Sequence, residues 1–263
     1  MGGCILQKRR LGQTNIVVSE IGLGTVKFGR NQGVNYPTAF QLPSDQELAN
    51  LLAEAFDLGI NLIDTAPAYG TSEERIGKLL GGKRQDWVIS TKVGEEFFAE
   101  TSQFDFSEQA IFRSVERSLL RLHTDYLDIL LVHSNGEDVR LIEQEQVFVT
   151  LGALKQTGKI RAFGMSSKTI AGGLLTMEYA DIGMVAFNLA HQAEREVIQK
   201  ANDLRKGILI KKALASGHLQ TLQSKDPVAD SLRFILAEPG VSSVIIGTLN
   251  SLHLRENITA YAG

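Results

Sequence analysis

Asp64, Tyr69, Lys92 and His133 are the residues of this 263-residue chain whose types and spacing could do chemistry together. Asp64 and Lys92 close short apolar runs, His133 follows the run from Tyr126 to Val132, and Tyr69 lies just beyond Asp64. Reducing a carbonyl needs hydride at carbon and a proton at oxygen. A phenol can supply the proton, but a free one titrates at about 10, too high for easy exchange near neutrality. An ammonium beside it would favour the phenolate and lower that value. A carboxylate would hold the ammonium charged and aimed, and an imidazole N–H could bond the substrate oxygen as negative charge develops there. Taken singly, each residue has a plainer reading: Asp64 as a cap or ion-pair partner, Tyr69 as a loop anchor, Lys92 as a surface charge, His133 as a structural histidine. Their convergence is the informative feature. One histidine and one aspartate near a lysine make a poor metal shell, so no metal is expected.

The elements that must position these four repeat along the chain. Leu6–Arg10 and Asn15–Ser19 flank Leu11-Gly12-Gln13-Thr14 as a short β-hairpin ahead of the main domain. Ile21–Thr25 then reads as the first core strand, and Gly29–Ser44, punctuated by Gly33, Pro37 and Pro43, as a loop. From there helix and strand patterns alternate: helix Asp45–Leu58, strand Ile60–Asp64, helix Ser72–Leu80, strand Trp87–Lys92, and helix Ser107–Leu122 with Asp105 and Glu108 at capping-box spacing. Strand Tyr126–Val132, helix Glu143–Thr157, strand Ile160–Met165, helix Lys168–Met177, strand Gly183–Phe187 and helix Glu194–Leu204 follow. Strand Ile208–Lys211, helix Pro227–Ala237, strand Ser243–Ile246 and a helix from Ser251 complete the series.

Eight strand–helix units with short links favour a single α/β domain over residues 1–263, a (β/α)8 TIM barrel, over an open doubly wound sheet. Such barrels carry their chemistry at the carboxyl ends of the strands, which is where three successive strands place the four ionisable residues. Gly22-Leu23-Gly24-Thr25-Val26-Lys27 fails the third position of the dinucleotide-binding glycine pattern, which leaves an open-sheet nucleotide fold little support. Lys27, Phe28, Phe97, Phe98 and Asn135 are further rim candidates that could shape a pocket or simply pack.

Composition is that of an ordinary globular protein, with 43% hydrophobic and 22% charged residues. A net charge of -3 gives no general attraction for nucleic acid or an anionic membrane, and no apolar run is long enough to span a bilayer. Cys4 is the only cysteine, so no intrachain disulfide can form, which suits a cytoplasmic enzyme. Leu6 stands where an acylation signal at Gly2 would want Ser or Thr, and the amino end reads as a frayed terminus. Helix periodicity does not distinguish a monomer from an oligomer; a monomer is the starting expectation.

The sequence resembles the aldo-keto reductase family. The matching text includes Gly22-Leu23-Gly24-Thr25, Asn61-Leu62-Ile63-Asp64-Thr65-Ala66-Pro67-Ala68-Tyr69-Gly70, Ser90-Thr91-Lys92-Val93-Gly94 and Leu130-Leu131-Val132-His133-Ser134. The resemblance runs from about Arg10 to Asn257. It implies an extended NADP(H), less often NAD(H), across the barrel rim, with Tyr69 as proton donor and Asp64, Lys92 and His133 as its partners. It further implies that Gly24 and Thr25 lie at the cofactor and that Ser166 holds the nicotinamide carboxamide. Gly247-Thr248-Leu249-Asn250 would form the loop around the adenosine phosphate, and His253, Glu256 and Asn257 would contact the adenosine side. Backbone N–H groups near Ser251 would suit a phosphate.

Three positions depart from the pattern of the family. Ser167 stands where an asparagine commonly helps bind the carboxamide, and Met184 where a glutamine does. Lys211 falls where a tyrosine usually stacks on the nicotinamide, with Lys212 and Leu214 beyond it as further candidate contacts. A lysine has no aromatic face, although its stem can pack and its charge can reach phosphate. Val26 replaces a bulky aromatic and would widen the pocket. The chain stops soon after its last helix begins, so an open pocket with modest discrimination among carbonyl substrates is expected.

The leading expectation is NADP(H)-dependent reduction of aldehydes or ketones. The alternatives are an NAD(H)-linked alcohol or sugar dehydrogenase, and a nicotinamide-binding regulatory or scaffold protein with little turnover. His253 lacks the fixed charge that an arginine would bring to a 2′-phosphate, which weakens the preference for NADP(H).

Overall fold

The computed structural model describes residues 6–34, 39–214 and 225–262. In chain order these form β1 (Lys8–Arg10), β2 (Val17–Ser19), β3 (Ile21–Gly24), α1 (Val26–Gly29), α2 (Asp45–Asp57), β4 (Leu62–Asp64), α3 (Ser72–Leu80) and β5 (Val88–Val93). There follow β6 (Glu95–Phe98), β7 (Thr101–Phe104), α4 (Glu108–Arg121), β8 (Leu127–His133), α5 (Asp138–Glu143), α6 (Val147–Gln156), β9 (Ile160–Ser166) and α7 (Ile170–Tyr179). The chain continues through β10 (Ile182–Ala186), α8 (Arg195–Leu204), β11 (Gly207–Lys211), α9 (Pro227–Leu236), β12 (Ser243–Ile246) and α10 (Ser251–Ala262).

Strands β3, β4, β5, β8, β9, β10, β11 and β12 pair in parallel and close into a barrel. This is the eight-stranded fold that the alternation predicts. The pleat decides what each strand contributes, because successive side chains point to opposite faces. Leu62, Val88, Ile129, Leu131, Ala162, Ile182, Met184 and Leu209 form one buried cluster inside the barrel. Ile63, Ile89, Leu130, Val132 and Phe163 belong to a second cluster shared with the helices. Continuing the inward row to the carboxyl ends brings Asp64, Lys92, His133, Ser166 and Lys211 to the mouth.

The hairpin β1–β2 is a functional part of the core. Leu11, Ile16 and Val18 are buried with the inward-facing cluster, so the hairpin plugs the end of the barrel away from the mouth.

Four local details differ from the sequence reading. Ser107 caps α4 by accepting a hydrogen bond from the Ala110 N–H, while Asp105 instead accepts from the Ser107 N–H. The expected helix Glu143–Thr157 starts only at Val147, as α6, after Gln146 takes a left-handed φ of 52°, and a short unforeseen helix, α5, precedes it. A one-turn helix, α1, occupies the start of the expected loop. Most consequentially, β6 and β7 form an antiparallel hairpin on the rim that periodicity does not suggest.

Candidate functional site

The inward row meets a cavity of about 850 Å³ at the barrel mouth, within the usual size range of small-molecule sites. Asp64, Tyr69, Lys92 and His133 all line it. Lys92 Nζ donates to Asp64 Oδ1 and Oδ2, each at 2.8 Å, and to the Thr65 carbonyl at 2.8 Å. All three ammonium donors therefore have acceptors, which makes a charged lysine tolerable in a site where it is only 1% exposed. Ser90 Oγ donates a third hydrogen bond to the Asp64 carboxylate, at Oδ1, over 3.0 Å. Burial works against the Lys92 charge, but Asp64 and the Tyr69 oxygen outweigh it and raise the ammonium above its ordinary range.

Tyr69 ends the short 3-10 turn Pro67–Tyr69. Lys92 Nζ lies 5.0 Å from its ring centroid, and the His133 ring stands edge-on to it with centroids 6.1 Å apart. The sequence reading has Lys92 lowering the phenol's pKa. Lys92 does pull in that direction, but burial is larger, and with Asp64 and Glu95 opposing phenolate formation the hydroxyl is pushed up to about 12. Burial thus keeps the Tyr69 phenol protonated near neutrality.

His133 ends β8 with Nδ1 2.7 Å from Glu95 Oε2, in an arrangement too bent for a well-formed hydrogen bond. Burial pushes the imidazole below its ordinary value; Glu95 opposes the shift and Lys92 and Lys211 add to it. Glu95 was not singled out from sequence, because it lies on the unforeseen hairpin.

A second set converges on the opposite wall. Lys211 Nζ donates to Ser166 Oγ at 2.9 Å and to the Ser167 carbonyl at 2.7 Å. Lys211 therefore faces the cavity rather than solvent. Burial, then Lys212 and Lys92, lower its amine to about 7, with Asp138 opposing. Asp138, also missed from sequence, is buried and accepts from the N–H groups of Lys168 and Thr169 at 2.9 and 2.7 Å. Its carboxylate pins the turn that carries Ser166, Ser167 and Lys168.

A family model described as the aldo/keto reductase family matches residues 20–231. The chain belongs to the aldo/keto reductase family. Among solved structures it is similar to an aldo-keto reductase of Pseudomonas aeruginosa, at 51% identity and a TM-score of 0.89 over 97% of this chain and 94% of that one. The holo form of an aldo-keto reductase from Bacillus halodurans shares the fold at 24% identity, with a TM-score of 0.83 over 97% and 90% of the two chains. Among curated proteins, the uncharacterized oxidoreductase YqkF of Bacillus subtilis (strain 168) is 29% identical over 97% of this chain and 91% of its own length. The NADH-specific methylglyoxal reductase of Escherichia coli (strain K12) is 31% identical over 74% of this chain and 61% of its own. As a member of this family, the chain is a nicotinamide-linked oxidoreductase.

The aldo/keto reductase cavity fits the dinucleotide that this chemistry needs. Gly24, Thr25, Ser166, Ser167, Met184, Lys211, Lys212, Leu214 and Gly247 all line it. Lys27 and Lys168 join Lys211 and Lys212 on its walls, giving a chain of net charge -3 a locally basic pocket suited to phosphates. Thr248, Asn250, His253, Glu256 and Asn257 lie outside this lining, in the turn after β12 and on α10. Two of the N–H groups at the start of α10 already have a partner within the chain. Asn250 Oδ1 accepts from the Leu252 N–H at 2.8 Å and from the His253 N–H at 3.3 Å, so the helix is capped by its own chain. Ala215, Ser216 and Gly217, which continue the Lys211 loop, lie outside the described residues.

Of the other rim candidates, Val26 and Lys27 line the cavity. Phe28 is fully buried core, Phe98 is exposed, and Phe97 stacks under Arg30 with 3.4 Å from guanidinium carbon to ring centroid. Asn135 lines a separate groove. His191 and Glu194, not singled out from sequence, lie on the cavity wall with the His191 Nε2 2.5 Å from Glu194 Oε2.

Proposed function

We propose that this enzyme reduces aldehydes or ketones to alcohols with NADP(H), Tyr69 delivering the proton to the carbonyl oxygen. The observation that carries the reading is a neutral phenol at the cavity wall beside an ammonium that Asp64 and the Thr65 carbonyl hold in place. When bound, the nicotinamide supplies hydride to the carbonyl carbon. Lys92 offers positive charge as the tyrosine oxygen gives up its proton. Asp64 keeps that charge from being lost by burial, and His133 faces the same space. Ser166, Ser167 and Met184 are the residues that would meet the carboxamide, and the wall lysines would meet phosphate oxygens.

The test is NADPH consumption at neutral pH across small aldehydes, aromatic aldehydes and ketones. No turnover, with cofactor binding shown by fluorescence, would turn the reading towards a regulatory or scaffold protein. Separate NADPH and NADH titrations test the cofactor; NADH binding at least about tenfold tighter, a difference of roughly 1.4 kcal/mol, would overturn the choice of NADP(H).

Oxidation of a sugar or other alcohol with NAD(H) is the second reading. It is favoured by the relatives named L-galactose dehydrogenase from Arabidopsis thaliana and D-threo-aldose 1-dehydrogenase from a Pseudomonas species, each 27% identical to this chain. The same four residues serve this direction by returning the proton.

A further inference from the structure

Two lysines end barrel strands at the cavity, and their surroundings suit different forms of the side chain. Lys92 has three acceptors, two of them the oxygens of one carboxylate, which is the environment of a held ammonium. Lys211 has two acceptors, Ser166 Oγ at 2.9 Å and the Ser167 carbonyl at 2.7 Å, neither of them charged. Two acceptors match the two N–H groups of a neutral amine and leave its nitrogen lone pair as the one position unused.

The charges around Lys211 favour the same form. Burial disfavours its ammonium first, and Lys212 next on the chain, Lys92 on β5 and Lys168 after β9 add to that. Asp138 at the start of α5 opposes them, but its carboxylate is engaged by Ser134, Thr169 and the N–H groups of Lys168 and Thr169, and gives Lys211 no hydrogen bond. His133 at the end of β8 feels Lys211 as a positive neighbour, and His191 and Glu194, between β10 and α8, pair with each other on the cavity wall. The strands beside β11, β10 and β12, carry no titratable side chain. With its amine lowered to about 7, Lys211 is about half neutral at pH 7, where an ordinary lysine is almost wholly charged. Lys211 also lies where an aldehyde would arrive, since it lines the same cavity of about 850 Å³ as Tyr69 and His133.

We propose that Lys211 is a nucleophile that condenses with aldehydes entering the cofactor-free cavity and holds them as an imine. The nitrogen lone pair forms the N–C bond as the C=O π bond breaks, and one N–H proton passes to oxygen, giving a carbinolamine. The hydroxyl then leaves with the second N–H proton, as water, and the C=N bond forms. No electrons pass to or from a redox partner, and water reverses the reaction. A carbonyl compound is thereby tethered to the wall that carries Ser166. Where Ser166 meets the carboxamide, as read above, an excess of aldehyde excludes the dinucleotide. That consequence rests on the reading of Ser166; the imine itself does not.

The test is reductive trapping. The full chain, with no nucleotide added, is incubated at about pH 7 with glyoxylate and sodium cyanoborohydride, which reduces an imine to a stable secondary amine. Glyoxylate is a small aldehyde whose carboxylate suits the basic walls. Peptide mass spectrometry then reads the rate of labelling at each lysine, with exposed Lys8 and Lys83 as internal references. Lys211 is expected to be labelled at least about tenfold faster than either, a lead that shrinks towards about pH 10 as ordinary lysines lose their protons. Labelling of Lys211 no faster than of Lys83 overturns the proposal, and so does a lead that is unchanged between those two pH values. In Lys211→Met the fast phase is expected to vanish while Lys8 and Lys83 label as before; a fast phase that persists in the folded variant belongs to another group and overturns the assignment. The native protein decides even where that variant does not fold. Because mass rather than turnover is read, a failure of this proposal and a failure of carbonyl reduction are told apart.

Discussion

Lys211 Nζ, at the carboxyl end of β11, reaches past β10 to within 2.9 Å of Ser166 Oγ at the carboxyl end of β9. An amine therefore stands where relatives of the sequence resemblance would place an aromatic face, and its charge depends on pH. It titrates at about 7 in the fold against an ordinary 10.5. Between those values the unfolded chain holds a proton that the folded chain does not, so stability rises with pH across the window and the charge penalty is complete below it. Lys211→Met is expected to gain melting temperature over the native protein, most at about pH 6 and least towards pH 10. Thermal unfolding at several pH values checks this, and a gain independent of pH would contradict it.

The Lys92–Asp64 pair is predicted to behave as a unit. Asp64→Asn leaves a buried ammonium without its counter-charge and should cost about 3–5 kcal/mol in denaturant unfolding. Lys92→Met should cost a similar amount by stranding the carboxylate. The double variant should be markedly more stable than the sum of the two losses, because neither charge is then left alone. Simple additivity would show that the pair is not coupled.

Gly94 links β5 to the rim hairpin and holds a φ of 98°. A Cβ there would meet Phe106 Cε1 at 2.2 Å. Gly94→Ala should therefore destabilise the protein by about 1–3 kcal/mol and pull Glu95 away from His133. Its kcat is expected to fall as well. A variant with native stability and native kcat would mean that the hairpin does not need this turn.

Asn250 caps α10, so Asn250→Ala should lose about 1 kcal/mol of stability. Calorimetry with and without cofactor separates the two roles of this residue. A loss seen only with cofactor bound would show that Asn250 acts as a ligand contact rather than as a cap.

Much of this architecture was legible in the residues. Parallel strands buried on both faces read as nearly continuous apolar runs, and eight alternating strand–helix units favoured a closed barrel over an open sheet. Once the strands were placed, the pleat put Asp64, Lys92 and His133 on one row. Three things were not legible. Glu95 and His133 are neighbours only in space, and the exposed hairpin that joins them lacks the two-residue apolar alternation of a half-buried strand. The net shift of Tyr69 depends on burial against the effect of Lys92, a balance that spacing does not contain. The direction of Lys211 depends on the pleat of β11 and on acceptors at Ser166 and Ser167 contributed by a neighbouring part of the barrel.

Replacing one oxygen tests the central claim most directly. Tyr69→Phe keeps the ring and its packing against Lys92 and His133 but removes the only proton the account asks it to move. Single-turnover carbonyl reduction, followed by loss of NADPH absorbance, should fall by roughly 10²–10⁴-fold while fluorescence titration shows unchanged NADPH affinity. Reduction at the native rate in that variant would contradict the account.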